Sequence, residues 1–557
     1  MKTIIYQTFP RLFGNFNGNL VKDGSISQNG CGKFNSYTDK ALYSIKDLGV
    51  THLWFTGVIR HATCTDYSAF GLPKDHSAVV KGMAGSPYAI KDYYDVCPDL
   101  AENIPNRMAE FEALVRRAHD AGMKVIIDFV PNHVARSYQS VMKPAYVEDF
   151  GHGDHTNRAF DPMNNFYYLP GQSLLLSCEE PEEDFEYSEF PAKATGNDCF
   201  KAEPDRNDWY ETVKLNYGID YQNDGRTYFS PVPDTWEKML DILLFWTGKD
   251  VDGFRCDMAE MVPVEFWDWI IPRVKSRKNV KFIAEVYNPQ LYRDFINIGG
   301  FDYLYDKVGM YDTLRAVIAD KSSANALNAC WQATGDIQKN MLYFLENHDE
   351  QRITSDFFAR KAEIAIPAFA YLTFLNINPV MIYNGQELGE RGMDGEGFSG
   401  YDGKTSIFDY WSMETVRNWA DTGKFDGKNL PQSQLELRET YKRILTLANR
   451  EKALYSGSFY GLDFCNTYPS DRITAFLRKF EDELLLVIIN FDEKECEVAI
   501  NIPQNAFEVL NIKDNTVSKT TNLLTGEETV SALTQYSPYY AKVSASSYNL
   551  LRFKLLQ

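Results

Sequence analysis

Long apolar runs, paired-cysteine motifs, short-period repeats and an excess of positive charge are all missing from this 557-residue chain. The longest apolar candidate, Ile364–Tyr383, is interrupted by Pro367, Asn376 and Pro379 and cannot span a bilayer, so no membrane partner is expected. Lys and Arg number 57 against 77 Asp and Glu, a formal net charge of −20. Such a surface repels polyanions, which excludes a nucleic-acid partner and suits a soluble enzyme with a neutral substrate. Nine cysteines, an odd number, are scattered from Cys31 to Cys496 without a CxxC pair or a tight metal-ligand spacing. They read as free, mostly buried thiols in a reducing compartment. Met1-Lys2-Thr3 leads into a short, β-like apolar run, Ile4–Phe9, with no small-residue cleavage site. That run reads as a first strand rather than a signal peptide, and a cytoplasmic location is expected.

The length exceeds one ordinary core, so two or more domains are expected. Aromatic residues make up 14% of the chain, which suits stacking on sugar faces but is explained equally by a large core. Short apolar strands alternate with amphipathic helices through most of the chain, the pattern of a parallel sheet with crossover helices. Eight strands are legible: Ile4–Phe9, His52–Thr56, Val125–Val130, Gly253–Cys256, Phe282–Val286, Tyr303–Tyr305, Leu342–Leu345 and Val380–Tyr383. Helical patterns fall between most of them, as at Arg107–Ala121, Thr235–Thr247, Pro263–Ser276 and Ile364–Leu375. The fold class is α/β: a (β/α)8 TIM barrel with an inserted domain after strand 3 and a C-terminal antiparallel β-sandwich. The expected division is barrel over 1–133, inserted domain over 134–226, barrel again over 227–454 and sandwich over 455–557. The insertion is irregular and carries the acidic run Glu179–Asp184, read as a solvated loop. The sandwich rests on strands at Ile473–Phe480, Leu484–Asn490, Cys496–Ile502 and Leu550–Leu555.

Barrel enzymes place their chemistry at the C-terminal ends of the strands. Here strand 3 ends in Asp128-Phe129-Val130-Pro131-Asn132-His133, and strand 4 in Gly253-Phe254-Arg255-Cys256-Asp257. Strand 5 ends in Ala284-Glu285, and strand 7 in Glu346-Asn347-His348-Asp349. One mouth would then gather Asp257, Glu285 and Asp349 with Arg255, His133 and His348. That set suits glycosidic bond cleavage. One carboxyl group attacks or stabilises the anomeric carbon while another protonates the leaving oxygen. Crowded like charges keep one carboxyl group protonated near neutral pH. Arg255 lies two residues before Asp257, on the same side of the strand, and can hold it ionised and aimed. Asp128 begins its motif inside a buried strand, where a structural role such as holding Arg255 is expected.

These motifs resemble the α-amylase family. Asp128–His133 is similar to its first conserved region, Gly253–Asp257 matches GxRxD, and Glu285 and Asn347-His348-Asp349 match the two remaining acidic regions. Leu215-Asn216 resembles the short conserved stretch of the inserted domain, and Gly85–Tyr93 the segment whose tyrosine, here Tyr88, stacks on the sugar. The resemblance implies a retaining double displacement with Asp257 as nucleophile, Glu285 as acid/base and Asp349 as third carboxylate. Tyr88, His133, Arg255 and His348 would complete the subsite. Retaining enzymes hold the two main carboxyl groups about 5–5.5 Å apart. The implied substrate is an α-glucan or malto-oligosaccharide, cleaved at α-1,4 bonds of starch or maltodextrins.

The chemistry requires no cofactor. Asn132 matches a calcium ligand in many relatives, but a calcium site needs several oxygen ligands and only one is legible, so a loop-fixing amide is the competing reading. His152 and His155, like His61 and Cys64, are too few for zinc and read as ordinary polar residues. Cys256 faces away from the site and packs. Arg352 pairs with a site carboxylate or lies on the surface, and Phe398, Tyr401, Tyr410 and Trp411 either stack on sugars or pack their loop. Many relatives follow the nucleophile with Lys-His where this chain has Glu260-Met261. That departure leaves open a transglycosylase or a sucrose- or trehalose-acting member. A non-catalytic binding subunit is disfavoured because all three acids and Arg255 are present. The oligomeric state is left open.

Overall fold

A computed structural model describes residues 1–176, 187–319 and 321–555. Eight parallel strands form one sheet: β1 (Ile4–Thr8), β2 (His52–Phe55), β3 (Lys124–Phe129), β4 (Gly253–Cys256), β5 (Lys281–Ala284), β6 (Tyr303–Tyr305), β7 (Met341–Leu342) and β8 (Val380–Tyr383). Their order is β7-β6-β5-β4-β3-β2-β1-β8, and a single parallel bridge between Tyr343 and Val380 closes the ends into a barrel. The strands are rich in Ile, Val, Phe and Tyr because both faces are buried, one inside the barrel and one beneath the helices. All eight strands read from the sequence are present. The seventh is two residues long because beyond it only Tyr343 pairs before the chain turns toward Glu346–Asp349.

Alternation along the strands stacks the barrel interior in layers. Ile5, Trp54, Ile126, Ile283, Leu342 and Met381 form an apolar plug. One step further along, Asp128 and Arg255 stand side by side in register on β3 and β4. An apolar floor thus ends where a charged ceiling begins. The C-terminal mouth is polar because the next inward positions of the same strands carry acids and amides.

Between β3 and the helix Asp234–Thr247, the described residues make short ladders, such as His133–Ala135 against Thr212–Lys214 and Tyr168–Leu169 against Ala192–Lys193. The acidic run Glu179–Asp184 lies outside the described residues. Beyond the long helix Gln432–Arg450, the chain turns to β9 (Ser458–Gly461), β10 (Ile473–Phe480), β11 (Glu483–Asn490), β12 (Cys496–Ile500), β13 (Thr516–Asn522), β14 (Glu528–Leu533), β15 (Tyr539–Val543) and β16 (Ser547–Leu555). Antiparallel pairing gives a six-stranded sheet, β9-β10-β11-β16-β13-β14, and a separate β12-β15 pair. Strands β9, β13, β14 and β15 were not legible in the sequence. In β13 the buried positions are Thr516, Ser518 and Thr520, so the strand carries no apolar alternation. The sheet docks on the barrel helix Ile366–Phe374 through Tyr371 on Phe476 and Phe374 on Tyr548, with centroids 5.9 and 5.6 Å apart. The eight described cysteines form no disulfide, and no described helix is long and apolar enough to cross a membrane.

Gly85 opens the turn that delivers Tyr88 to the barrel mouth. Its φ is +71°, and a Cβ there would lie 1.8 Å from the Ala62 carbonyl oxygen. Gly85→Ala is expected to cost on the order of 1–3 kcal/mol or more, read as a lowered midpoint in denaturant unfolding.

Candidate active site

Asp257 and Glu285 stand one residue past the ends of β4 and β5. The barrel ladder holds both, Asp257 N–H donating to Phe129 O at 2.9 Å and Glu285 N–H to Cys256 O at 3.1 Å. Asp349 follows β7, with its own N–H tied to Asn347 Oδ1 at 2.8 Å. All three carboxylates open into one cavity of about 200 Å³, together with Tyr88, His133 and Tyr287.

Arg255 lies beneath them with no solvent exposure. Its Nη1 donates to Asp257 Oδ1 at 2.8 Å and to Asp128 Oδ1 at 3.3 Å, and its Nη2 lies 2.7 Å from Glu285 Oε1. The guanidinium faces the rings of Trp54, Tyr88 and Tyr305 at 5.3, 5.3 and 5.5 Å. Asp128 is steadied from its other side by Trp54 Nε1 at 3.1 Å. The expected role of Asp128 as a partner of Arg255 is what the geometry displays.

A second chain of contacts crosses the mouth. Gln7 Nε2 sits 2.7 Å from His348 Nδ1, which leaves Nε2 as the protonated ring nitrogen. That nitrogen lies 2.9 Å from Asp349 Oδ2 and 2.5 Å from the Tyr88 hydroxyl, and the Tyr88 and His348 rings stack with centroids 5.3 Å apart. Tyr88, Arg255, His348 and the three acids therefore form one connected group. His133 lines the same cavity and packs against Trp209, centroids 5.2 Å apart.

Burial raises the Asp257 pKa well above the ordinary carboxylate range. Arg255 opposes this, but Glu285, Asp128 and Asp349 add to it. Arg255 is thus the group that favours the ionised form of Asp257, working against burial and three nearby acids. Burial also raises Asp349, but His348 and Arg255 more than offset it, and its pKa falls to about 2. Burial, reinforced by Lys214 and Lys81, drives His133 down to about 3, so it meets a ligand as a neutral ring. Burial and then Asp128 push the Tyr88 phenol well up, leaving it a hydroxyl donor.

Sequence reasoning did not name Tyr287, whose hydroxyl donates to Glu285 Oε1 at 2.7 Å. Its place two residues beyond Glu285, on the same side of an extended chain, was the available signal. Lys81, Trp209, Glu211, Ile407 and Phe408 also line the cavity, and they come from loops whose course no periodicity reveals. Met258 adopts a left-handed turn with φ +43° that lets its N–H donate to Glu285 Oε2 at 2.8 Å. Glu260 Oε2 accepts the N–H groups of Tyr287 and Asn288 at 3.0 and 2.9 Å, fixing the segment that follows Glu285.

The remaining candidates lie elsewhere. Asn132 does not fit a calcium ligand: its Oδ1 accepts from the Lys214 ammonium at 2.8 Å, and that ammonium also lies 2.5 Å from Asp198. Its amide nitrogen donates to Gly196 O at 2.7 Å. Among the described residues no group of three or more His, Cys, Asp or Glu could hold a metal ion. His152 and His155 pair with Glu148 and Asp161 at 3.5 and 3.0 Å, and His61 is buried against Arg11 at 2.7 Å. Cys64 is half-buried away from the cavity, and Cys256 is buried in the packing. Arg352 is not on the surface, as one of its two expected placements had it. It is wholly buried, bonded to Glu346 at 2.9 Å, and holds the turn after β7. Tyr410 and Trp411 are buried in their loop, and Phe398 packs on Phe408 at 5.1 Å, whereas Tyr401 is exposed.

Removing Arg255 leaves several buried acids without a counter-charge. Arg255→Met is expected to cost about 3–5 kcal/mol of stability at neutral pH, measured by denaturant titration.

A profile of the family "Alpha amylase, catalytic domain" matches residues 7–283. The chain is 24% identical over 474 residues to Alpha-amylase MalA of Haloarcula japonica, an alignment covering 84% of this chain and 54% of that protein. It is 22% identical over 546 residues to Alpha-amylase 3 of Dictyoglomus thermophilum, covering 95% and 92% of the two chains. Among solved structures, the acarbose-complexed α-amylase of Geobacillus thermoleovorans shares the fold with a TM-score of 0.64 at 20% identity, over 100% of this chain and 99% of that one. The barrel, the motif order and the profile match agree: this chain belongs to the α-amylase family of glycosidases.

Proposed function

We propose that this enzyme cleaves α-1,4-glucosidic bonds of starch or maltodextrins with retention of configuration, through a covalent glycosyl ester on Asp257. The observation that carries this reading is the single guanidinium of Arg255 lying against both Asp257 and Glu285, which line one sugar-sized cavity. A guanidinium shared by the two carboxyl groups favours the close pairing, about 5–5.5 Å, on which retaining enzymes rely. The ionised carboxylate of Asp257 attacks the anomeric carbon. The bond from that carbon to the leaving oxygen breaks, and Glu285 supplies the proton that oxygen needs. Water then gives its proton to Glu285 while its oxygen displaces Asp257.

Asp349 and His348 bind ring hydroxyls, and Tyr88 gives the sugar an aromatic face. Tyr287 lies against Glu285 and offers its ring to the departing sugar, a place where Glu260 serves the backbone instead of the substrate. The relatives named as α-amylases support an α-glucan as substrate.

Digestion of maltoheptaose followed at once by proton NMR should show the α-anomer appearing first. Glu285→Gln should lower kcat by about 10²–10⁴, and Asp257→Asn should abolish turnover. A β-anomer product, or full activity in either variant, would overturn the assignment. Product analysis with sucrose beside maltoheptaose separates hydrolysis of glucans from the sucrose-acting and transfer alternatives. If only sucrose turned over, the glucan substrate would be wrong.

No calcium is needed in this scheme, since Lys214 supplies the positive charge beside Asn132. Dialysis against EDTA should leave Tm and turnover unchanged. Lys214→Met should cost about 1–3 kcal/mol by stranding the buried Asn132 carbonyl.

A further inference from the structure

Away from the acidic mouth, the seam between the barrel and the C-terminal domain holds a second, larger cavity of about 580 Å³. That is well within the roughly 300–1,000 Å³ typical of small-molecule sites. One wall is the barrel helix Ala326–Ala333, which follows β6. The other is β9 with the short turn Asp463–Cys465 behind it. Asn505, at the start of the helix Gln504–Val509, closes one end.

The lining has two components. Four aromatic rings face the space: Trp331, Phe459, Tyr460 and Phe464. Trp331 and Phe459 pack edge to face with centroids 5.0 Å apart, and Tyr460 leans on Phe464 at 6.1 Å. Phe464 is 73% exposed, so it is presented rather than packed. The second component is amide. Asn325, Asn328 and Gln332 recur at a spacing of three and then four, which puts them on one helix face.

Part of this lining is already oriented. Asn328 Oδ1 accepts from Trp331 Nε1 at 3.0 Å and its amide nitrogen donates to Asp463 at 3.1 Å, so both the indole and the amide are held. Tyr460 is held by Asn505 at 2.9 Å. Among the described residues the side chains of Gln332 and Asn325 make no hydrogen bond, and both are exposed to the cavity. Their donors and acceptors remain available to a ligand.

Charge decides what kind of ligand. No Lys, Arg or His is among the described residues lining the cavity. Its one acid, Asp463, is occupied on both oxygens: Oδ2 accepts from Asn328 and Thr474, and Oδ1 from Tyr468 and the Ala475 N–H. An ionic ligand would find no counter-charge. A purely apolar ligand would bury the amides unpaired, at a cost of about 1–3 kcal/mol each. A neutral ring system with apolar faces and hydroxylated edges satisfies both components. The space is nearly three times the cavity at the catalytic mouth, enough for more than one such ring.

We propose that this seam is a second carbohydrate site, holding a segment of an α-glucan chain without cleaving it. It rests on the proposed function for the identity of the sugar, though not for the site's chemistry. A polymer anchored there keeps its free ends near the same molecule, raising their effective concentration at the mouth.

The test uses the full-length protein in native gels containing soluble starch, with Glu285→Gln as background so that the polymer survives. Phe464→Ala and Gln332→Ala are combined in it, since both side chains are exposed, and an unchanged Tm verifies the fold. Truncating an exposed aromatic anchor and its neighbouring amide should weaken retardation by starch roughly tenfold. The same two substitutions in the active enzyme should leave kcat/KM on maltotriose unchanged. Equal retardation with and without them, or no retardation of either protein, would overturn the second site. Failure of the active enzyme to turn over maltotriose would instead overturn the proposed function, and the gel would still decide the seam by itself.

Discussion

Arg255 has no contact with solvent and touches three carboxylates. Charges buried this way are expensive, because each ion loses several kcal/mol of hydration that attraction only partly returns. A barrel built for stability alone would fill this layer with apolar side chains, as Ile, Leu, Met and Trp fill the layer below it. The polar layer is instead retained at the mouth, where it crowds acids whose proton affinities are pushed in opposite directions. Burial and neighbouring acids raise Asp257, while His348 keeps Asp349 low. Groups pushed apart in this way can divide attack, proton transfer and substrate binding among themselves.

The scaffold makes that arrangement rigid. Asp257 and Glu285 sit on backbone hydrogen bonds that continue the barrel ladder, so their positions are set by the sheet rather than by mobile loops. The loop residues that complete the cavity, such as Trp209 and Phe408, decide its shape and hence which sugars enter. Glu260 links the two kinds of element. By accepting two backbone N–H groups after Glu285, it stiffens a segment that also carries Tyr287.

An ion pair ties the inserted segment to the barrel. The Lys214 ammonium bridges Asn132, at the end of β3, and Asp198 within the insertion. An ion would need several oxygen ligands around it, whereas the lysine brings its own cation on a covalent tether and needs only two partners. The resemblance offered Asn132 as one calcium ligand or a loop-fixing amide, and its lysine partner, 82 residues away, was not legible in the sequence.

What the sequence determined by itself was everything written in local periodicity and motif order. All eight barrel strands were visible because strands buried on both faces are short apolar runs. Asp257, Glu285 and Asp349 were visible because each directly follows such a run or its turn. The tertiary structure alone decided what depends on distant neighbours. Strand β13 hid behind buried Thr and Ser. Arg352 proved to be a buried strut, since only the fold places Glu346 against it. Trp209 joined the site through a loop that carries no pattern, and the second aromatic cavity exists only because a barrel helix meets the first strand of another domain. Local chemistry is encoded residue by residue, but burial and charge pairing are properties of the surroundings, and those arise only when remote parts of the chain meet.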